Sequence, residues 1–91
     1  MQKNYFDMNG NLIKEGTYAD DKGNVFYFQR ENVSLPFCGE FQRIKGYSFC
    51  YGKLVCTTFS REQTTFFKPA CNGYREITKR LEDSLKSKRI I

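Results

Sequence analysis

Histidine and tryptophan are both missing from these 91 residues. Without histidine the chain lacks the side chain most used to move protons near neutral pH, so the Ser-His and Cys-His nucleophile pairs are excluded. Zinc sites that include histidine go with them. Carboxylates and lysines remain available, but the ten acidic residues form no isolated pair in an apolar setting. Asp20-Asp21 falls in a turn, and Glu82-Asp83 lies beside Lys79 and Lys86. Phosphate-cradling patterns are missing too: Gly39, Gly46, Gly52 and Gly73 fit neither G-x-x-x-x-G-K-[ST] nor G-x-G-x-x-G. Asp7-Met8-Asn9-Gly10-Asn11 begins like a calcium loop, but its glycine stands fourth rather than sixth and the later glutamate is missing. The expectation is a protein without catalytic activity, cofactor or metal.

Long apolar runs are absent as well. Nothing reaches the ~18–20 residues that span a bilayer, and Lys3, Asp7, Lys14 and Glu15 break up the first nineteen residues, where a leader would need an apolar core. A soluble, cytoplasmic protein without a membrane partner is the expectation. Cys38, Cys50, Cys56 and Cys71 are separated by eleven, five and fourteen residues, so no C-x₂₋₄-C spacing marks a zinc knuckle. Four reduced thiols acting as small hydrophobes is the simplest account. Two disulfides, with three connectivities open, would instead suit a secreted, disulfide-stabilised domain, the only setting in which the Asn32-Val33-Ser34 sequon has meaning.

What the chain does have is rings. Nine Phe and six Tyr can each bury about 150–250 Å², enough for a few of them to dominate a core. The length fits one domain. Tyr5 to Leu12 and Tyr18 to Val25 repeat Tyr, Asp, Gly and Asn at matching places thirteen residues apart, each reading as strand, turn, strand. Asn9-Gly10 predicts a two-residue hairpin loop, and Lys22-Gly23 a longer loop or bulge. In Val25-Phe26-Tyr27-Phe28, Phe26 and Phe28 share one face as core candidates and Tyr27 takes the other. Glu31, Asn32, Ser34, Pro36 and Gly39 predict a long connection over residues 31–39. A short strand at Glu40 to Ile44 follows, then a hairpin in which Tyr47, Phe49 and Tyr51 alternate up to a type II′ turn at Gly52-Lys53. That register faces Tyr51 with Leu54 and puts Cys50 and Cys56 on opposite faces, out of disulfide reach. Ser60 to Gln63 predicts a polar turn leading into a strand through Phe67. Tyr74, Ile77, Leu81 and Leu85 recur at helical intervals, predicting a helix over about 73–88 capped by Asn72.

The fold expected is α+β: an antiparallel meander of five to six strands and one C-terminal helix. Its parts are N-terminal hairpins over residues 1–31, strands and the long connection over 32–69, and the helix over 70–91. One helix covers one face, so the sheet either curls towards a barrel or leaves an aromatic face open.

The net charge of +5 resides wholly beyond residue 31. Arg75, Lys79, Lys86 and Arg89 fall on one helix flank with Glu82 among them. They are candidates for contacting phosphates or an acidic protein, or else form a solvated face in which Glu82 and Asp83 pair with Lys79 and Lys86. Arg43 and Lys45, followed by Tyr47, Phe49 and Tyr51, combine cations with alternating rings as single-strand binders do, although core packing should claim two of those three rings. Two kinds of partner stay open. One is a protein or nucleoprotein, bound by an interaction module acting as a stoichiometric inhibitor or adaptor of the kind phages and mobile elements encode. The other is nucleic acid, bound through the basic C-terminal two-thirds. The candidate contact residues are Arg43, Lys45, Tyr47, Tyr51, Arg75, Lys79, Lys86 and Arg89.

Overall fold

A computed structural model describes residues 4–37, 39–70 and 74–91. Five antiparallel strands form one sheet: β1 (Gly16–Asp20), β2 (Val25–Leu35), β3 (Gly39–Cys50), β4 (Lys53–Phe59) and β5 (Phe67–Pro69), in the order β4-β3-β2-β1-β5. The first four strands are a meander. β5 reaches the far edge by a crossover containing a single helical turn, α1 (Arg61–Thr64), and the C-terminal helix α2 (Arg75–Ser87) follows. The α+β meander with one C-terminal helix is therefore the architecture, and among the described residues the strands number five.

The expected polar turn at Ser60 is the start of α1. Ser60 and Gln63 form a reciprocal capping box, each side chain bonding the other's backbone. The chain is thereby aimed across the sheet, so β5 pairs with β1 rather than with β4.

Alternation along the strands sorts the rings onto two faces, as the Phe26, Tyr27, Phe28 pattern required. On one face Tyr18, Phe28, Phe59 and Phe67 gather with Ile13 and Ile44, and Phe26 packs against them. Phe59 and Phe67 come from opposite edges of the sheet, yet their ring centroids are 5.4 Å apart. The sheet curls around its own rings without closing, and the N-terminal hairpin covers them through Tyr5 and Ile13. On the other face α2 lays Leu81 and Leu85 over Ala19, Val25, Tyr27 and Tyr47. Each ring or aliphatic side chain buried in this way contributes about 1.5–3 kcal/mol. Among the described residues both faces are therefore covered where β1, β2 and β3 lie side by side.

The N-terminal echo folds as one turn chemistry used twice. Asp7 accepts the backbone N–H groups of Asn9 and Asn11, and Asp20 those of Lys22 and Asn24. Gly10 and Gly23 take matching left-handed conformations at φ 80° and 84°. The Asn9-Gly10 hairpin thus closes with a longer loop than the two-residue one expected, because the Asp7 carboxylate organises three residues around itself.

The β3–β4 register also differs from expectation. Cys50 pairs with Lys53, Phe49 with Leu54 and Tyr47 with Cys56, so the two-residue turn is Tyr51-Gly52, both at positive φ (50° and 76°), a type I′ geometry. Tyrosine seldom takes that conformation. Cys50 and Cys56 still lie on opposite faces, and both are free and exposed; Cys38 and Cys71 lie outside the described residues. No helix among the described residues is long and apolar enough to cross a membrane.

In α2 the contact stripe is Tyr74, Thr78, Leu81 and Leu85, and Ile77, expected on it, is 46% exposed. At about 100° per residue Ile77 stands roughly 60° off the stripe's centre, at its margin. Asn72, the expected cap, lies outside the described residues; the helix begins after Tyr74, whose side chain makes no capping bond.

Candidate interaction surface

The 31–39 segment, read from sequence as a connection, is strand. β2 and β3 pair without interruption from Tyr27↔Tyr47 to Leu35↔Gly39. β1 pairs with β2 only up to Phe28, and β4 with β3 only from Ile44. The five outer pairs, Glu31↔Arg43 to Leu35↔Gly39, therefore form a two-stranded arm with no strand on either side among the described residues. Glu31, Asn32 and Ser34 stay in strand because cross-strand pairing overrides their low preference for it.

The arm is two-sided. Pairing places Val33 and Leu35 on one face with Phe41, above a Glu31–Arg43 ion pair at the base; Asn32, Ser34, Glu40 and Gln42 take the other. Leu35 is 43% exposed, Phe41 41%, and Phe37 at the tip 100%. Neither α2 nor the N-terminal hairpin has any residue in the clusters that reaches this apolar face. A ribbon of two strands is marginal in water on its own, so the inner sheet holds the arm up while its rings stay wet. Arg43 donates through Nε to Glu31 at 3.0 Å, which holds the Glu31 carboxyl below its ordinary range and raises the guanidinium.

The eight sequence candidates separate into three places. Arg43 is tied to Glu31, and the Lys45 ammonium lies 5.7 Å from the Tyr47 ring centroid. Tyr47 is buried under α2, whereas Phe49 is partly open beneath the Arg80 guanidinium and Tyr51 is fully exposed at the turn. Only one of the three alternating rings is core, because over Phe49 α2 lays the Arg80 guanidinium rather than an apolar side chain, and Tyr51 stands in the turn. Arg75, Lys79 and Lys86 do converge, lining an open concavity with Ala70 and Thr78, but Glu82 and Asp83 line it as well. Glu82 accepts a hydrogen bond from Thr17 at 2.9 Å, and Arg43–Glu31 is the single ion pair among the described residues, so the expected Lys79 and Lys86 pairs are not formed. Arg89 stands past the helix. It takes φ 60°, while its N–H bonds the Lys86 carbonyl and the Ile90 N–H that of Leu85, a Schellman closure in which it occupies the left-handed position.

Sequence reasoning missed Leu35, Phe37 and Phe41. The available signal was the alternation of Val33 and Leu35 against Asn32 and Ser34, masked by turn-forming residues on both sides. Comparison with protein families, with curated proteins and with solved structures finds no match to this chain.

Proposed function

We propose that this is a small non-enzymatic protein-interaction module, an inhibitor or adaptor, that engages a protein partner through the arm of β2 and β3. The observation that carries this reading is the unpartnered apolar face of Val33, Leu35 and Phe41 with Phe37 at its tip. Exposed rings on a preformed ribbon are suited to act as anchors in a partner's pocket. The polar reverse face keeps the free protein in solution. Charge favours a protein over nucleic acid at this place: residues 31–43 hold one arginine against two glutamates, a poor match for a phosphate backbone.

Nucleic acid is the second reading, and what favours it is the convergence of Arg75, Lys79 and Lys86 on one concavity. Two carboxylates in the same place weaken it.

A photo-crosslinking phenylalanine analogue in place of Phe37, used in the native host, tests the first reading. The expected result is a covalent adduct with one protein, diminished at least about tenfold when Leu35→Ser and Phe41→Ser are added, and absent when the analogue replaces Lys22. No protein adduct, together with salt-sensitive retention of single- or double-stranded nucleic acid that is lost on reversing Arg75, Lys79 and Lys86, overturns it in favour of the second.

A further inference from the structure

The free edge of β4 fits a second copy of this chain: we propose that the protein dimerises by pairing β4 with β4, antiparallel, about a twofold axis at Cys56. This stands apart from the arm.

β4 ends the sheet. Its pairing with β3 starts at Cys50↔Lys53 around a two-residue turn, so Lys53, Val55, Thr57 and Phe59 direct their backbone groups to β3. Leu54, Cys56 and Thr58 direct theirs outward. None of those outward N–H or C=O groups bonds to a turn, loop or cap among the described residues. Proteins ordinarily blunt such an edge with brevity, proline, a bulge or lysine. The opposite edge obeys, since β5 is three residues long and ends in Pro69. From Leu54 to Phe59, however, β4 carries no charge, no glycine and no proline, and Val55, Thr57 and Thr58 favour an extended backbone.

Self-pairing about Cys56 sets Leu54 opposite Thr58 of the other copy and Cys56 opposite itself. All the outward groups of the three residues then find partners, and no like charges meet. Twofold symmetry closes the assembly, because each copy has one edge of this length to offer. The opposing term is the net charge of +5 on each copy, which salt screens.

Sedimentation equilibrium of the full chain in reducing buffer, from micromolar to millimolar, decides the matter. The expected result is a monomer–dimer equilibrium that tightens with added salt. Cys56→Lys, which sets two ammonium-bearing residues about 5.5 Å apart at the axis, should weaken it at least tenfold, and an equimolar mixture of Cys56→Lys with Cys56→Glu should restore dimers. Residue 56 is exposed, so at concentrations where the parent is monomeric both variants should keep its urea midpoint. A chain that stays monomeric throughout, or a Cys56→Lys variant that dimerises as the parent does, overturns the proposal. Dimers lost with Phe37→Ser but kept with Cys56→Lys would move the contact to the arm, which also overturns it.

Discussion

At the scale of single residues, Gly46 is where a hydrogen does the work of a side chain. A β-carbon built there would stand 2.6 Å from Phe59 Cε1 and 3.1 Å from two carbons of the Phe28 ring, whose centroids are 5.0 Å apart. Gly46→Ala should therefore destabilise the fold by about 1–3 kcal/mol through overpacking, read as a lowered urea midpoint at unchanged slope. Tyr27 makes a second prediction. Burial, then its 2.9 Å hydrogen bond to Glu15 and the charges of Glu15 and Glu82, push its pKa from 10.0 to about 12. The folded state thus holds that proton more tightly than the unfolded chain does. Its contribution is complete below pH 10 and is lost as pH rises towards about 12, so the urea midpoint should fall across that window and Tyr27→Phe should flatten the fall. Alternation in the sequence shows that Tyr27 and Phe28 take opposite faces. It could not show the need for Gly46, because that depends on two rings brought together by strands far apart in the chain.

At the scale of elements, the two Asp-x-x-Gly-Asn loops are alike in bonding and unlike in setting. Asp7 is buried and Asp20 is not. Asp7→Ala, which strips partners from two partly buried amides, should cost about 1–3 kcal/mol, and Asp20→Ala less than about 1. Chemical denaturation of the two variants side by side checks the order. For Asp20, burial acts the other way but is outweighed by hydrogen bonds from Asn24 and Lys22, which hold the carboxyl below its ordinary 3.8. Its small contribution is present above that pH and disappears as pH falls through the lowered value. The loops were legible because their chemistry is local, an aspartate reaching two and four residues ahead. Helix α2 was legible for a similar reason, although Thr78 rather than Ile77 faces the sheet. The arm was not, because the alternation of Asn32, Val33, Ser34 and Leu35 is only four residues long and is followed at once by Pro36 and Gly39, which read as a connection. The Tyr51-Gly52 turn escaped for another reason. The local rule reserves positive φ for glycine, and here the pairing of seven residues on each side compels a tyrosine to accept it.

At the scale of the whole molecule, the radius of gyration is 13.5 Å and the extents are 41 × 30 × 19 Å, against about 12 Å expected for a compact chain of this length. The arm accounts for the excess, since its five outer pairs belong to neither core cluster. Of the candidate contact residues, sequence located the cations of α2 and missed the apolar ribbon. Charge can be counted in a one-dimensional string, whereas a lack of neighbours cannot. That lack has a signature in time. Backbone amides of Tyr27 and Phe28, where β2 has a partner on both sides, are locked between β1 and β3 and should exchange with deuterium only when the molecule opens as a whole, whereas those of Glu31 to Leu35 can exchange by fraying of a two-stranded end. Exchange measured residue by residue along β2 should quicken by orders of magnitude beyond Arg30. A single strand thus carries its own internal clock, slow at the root and fast at the tip, and a ligand seated on the arm would be seen first as the fast end slowing down.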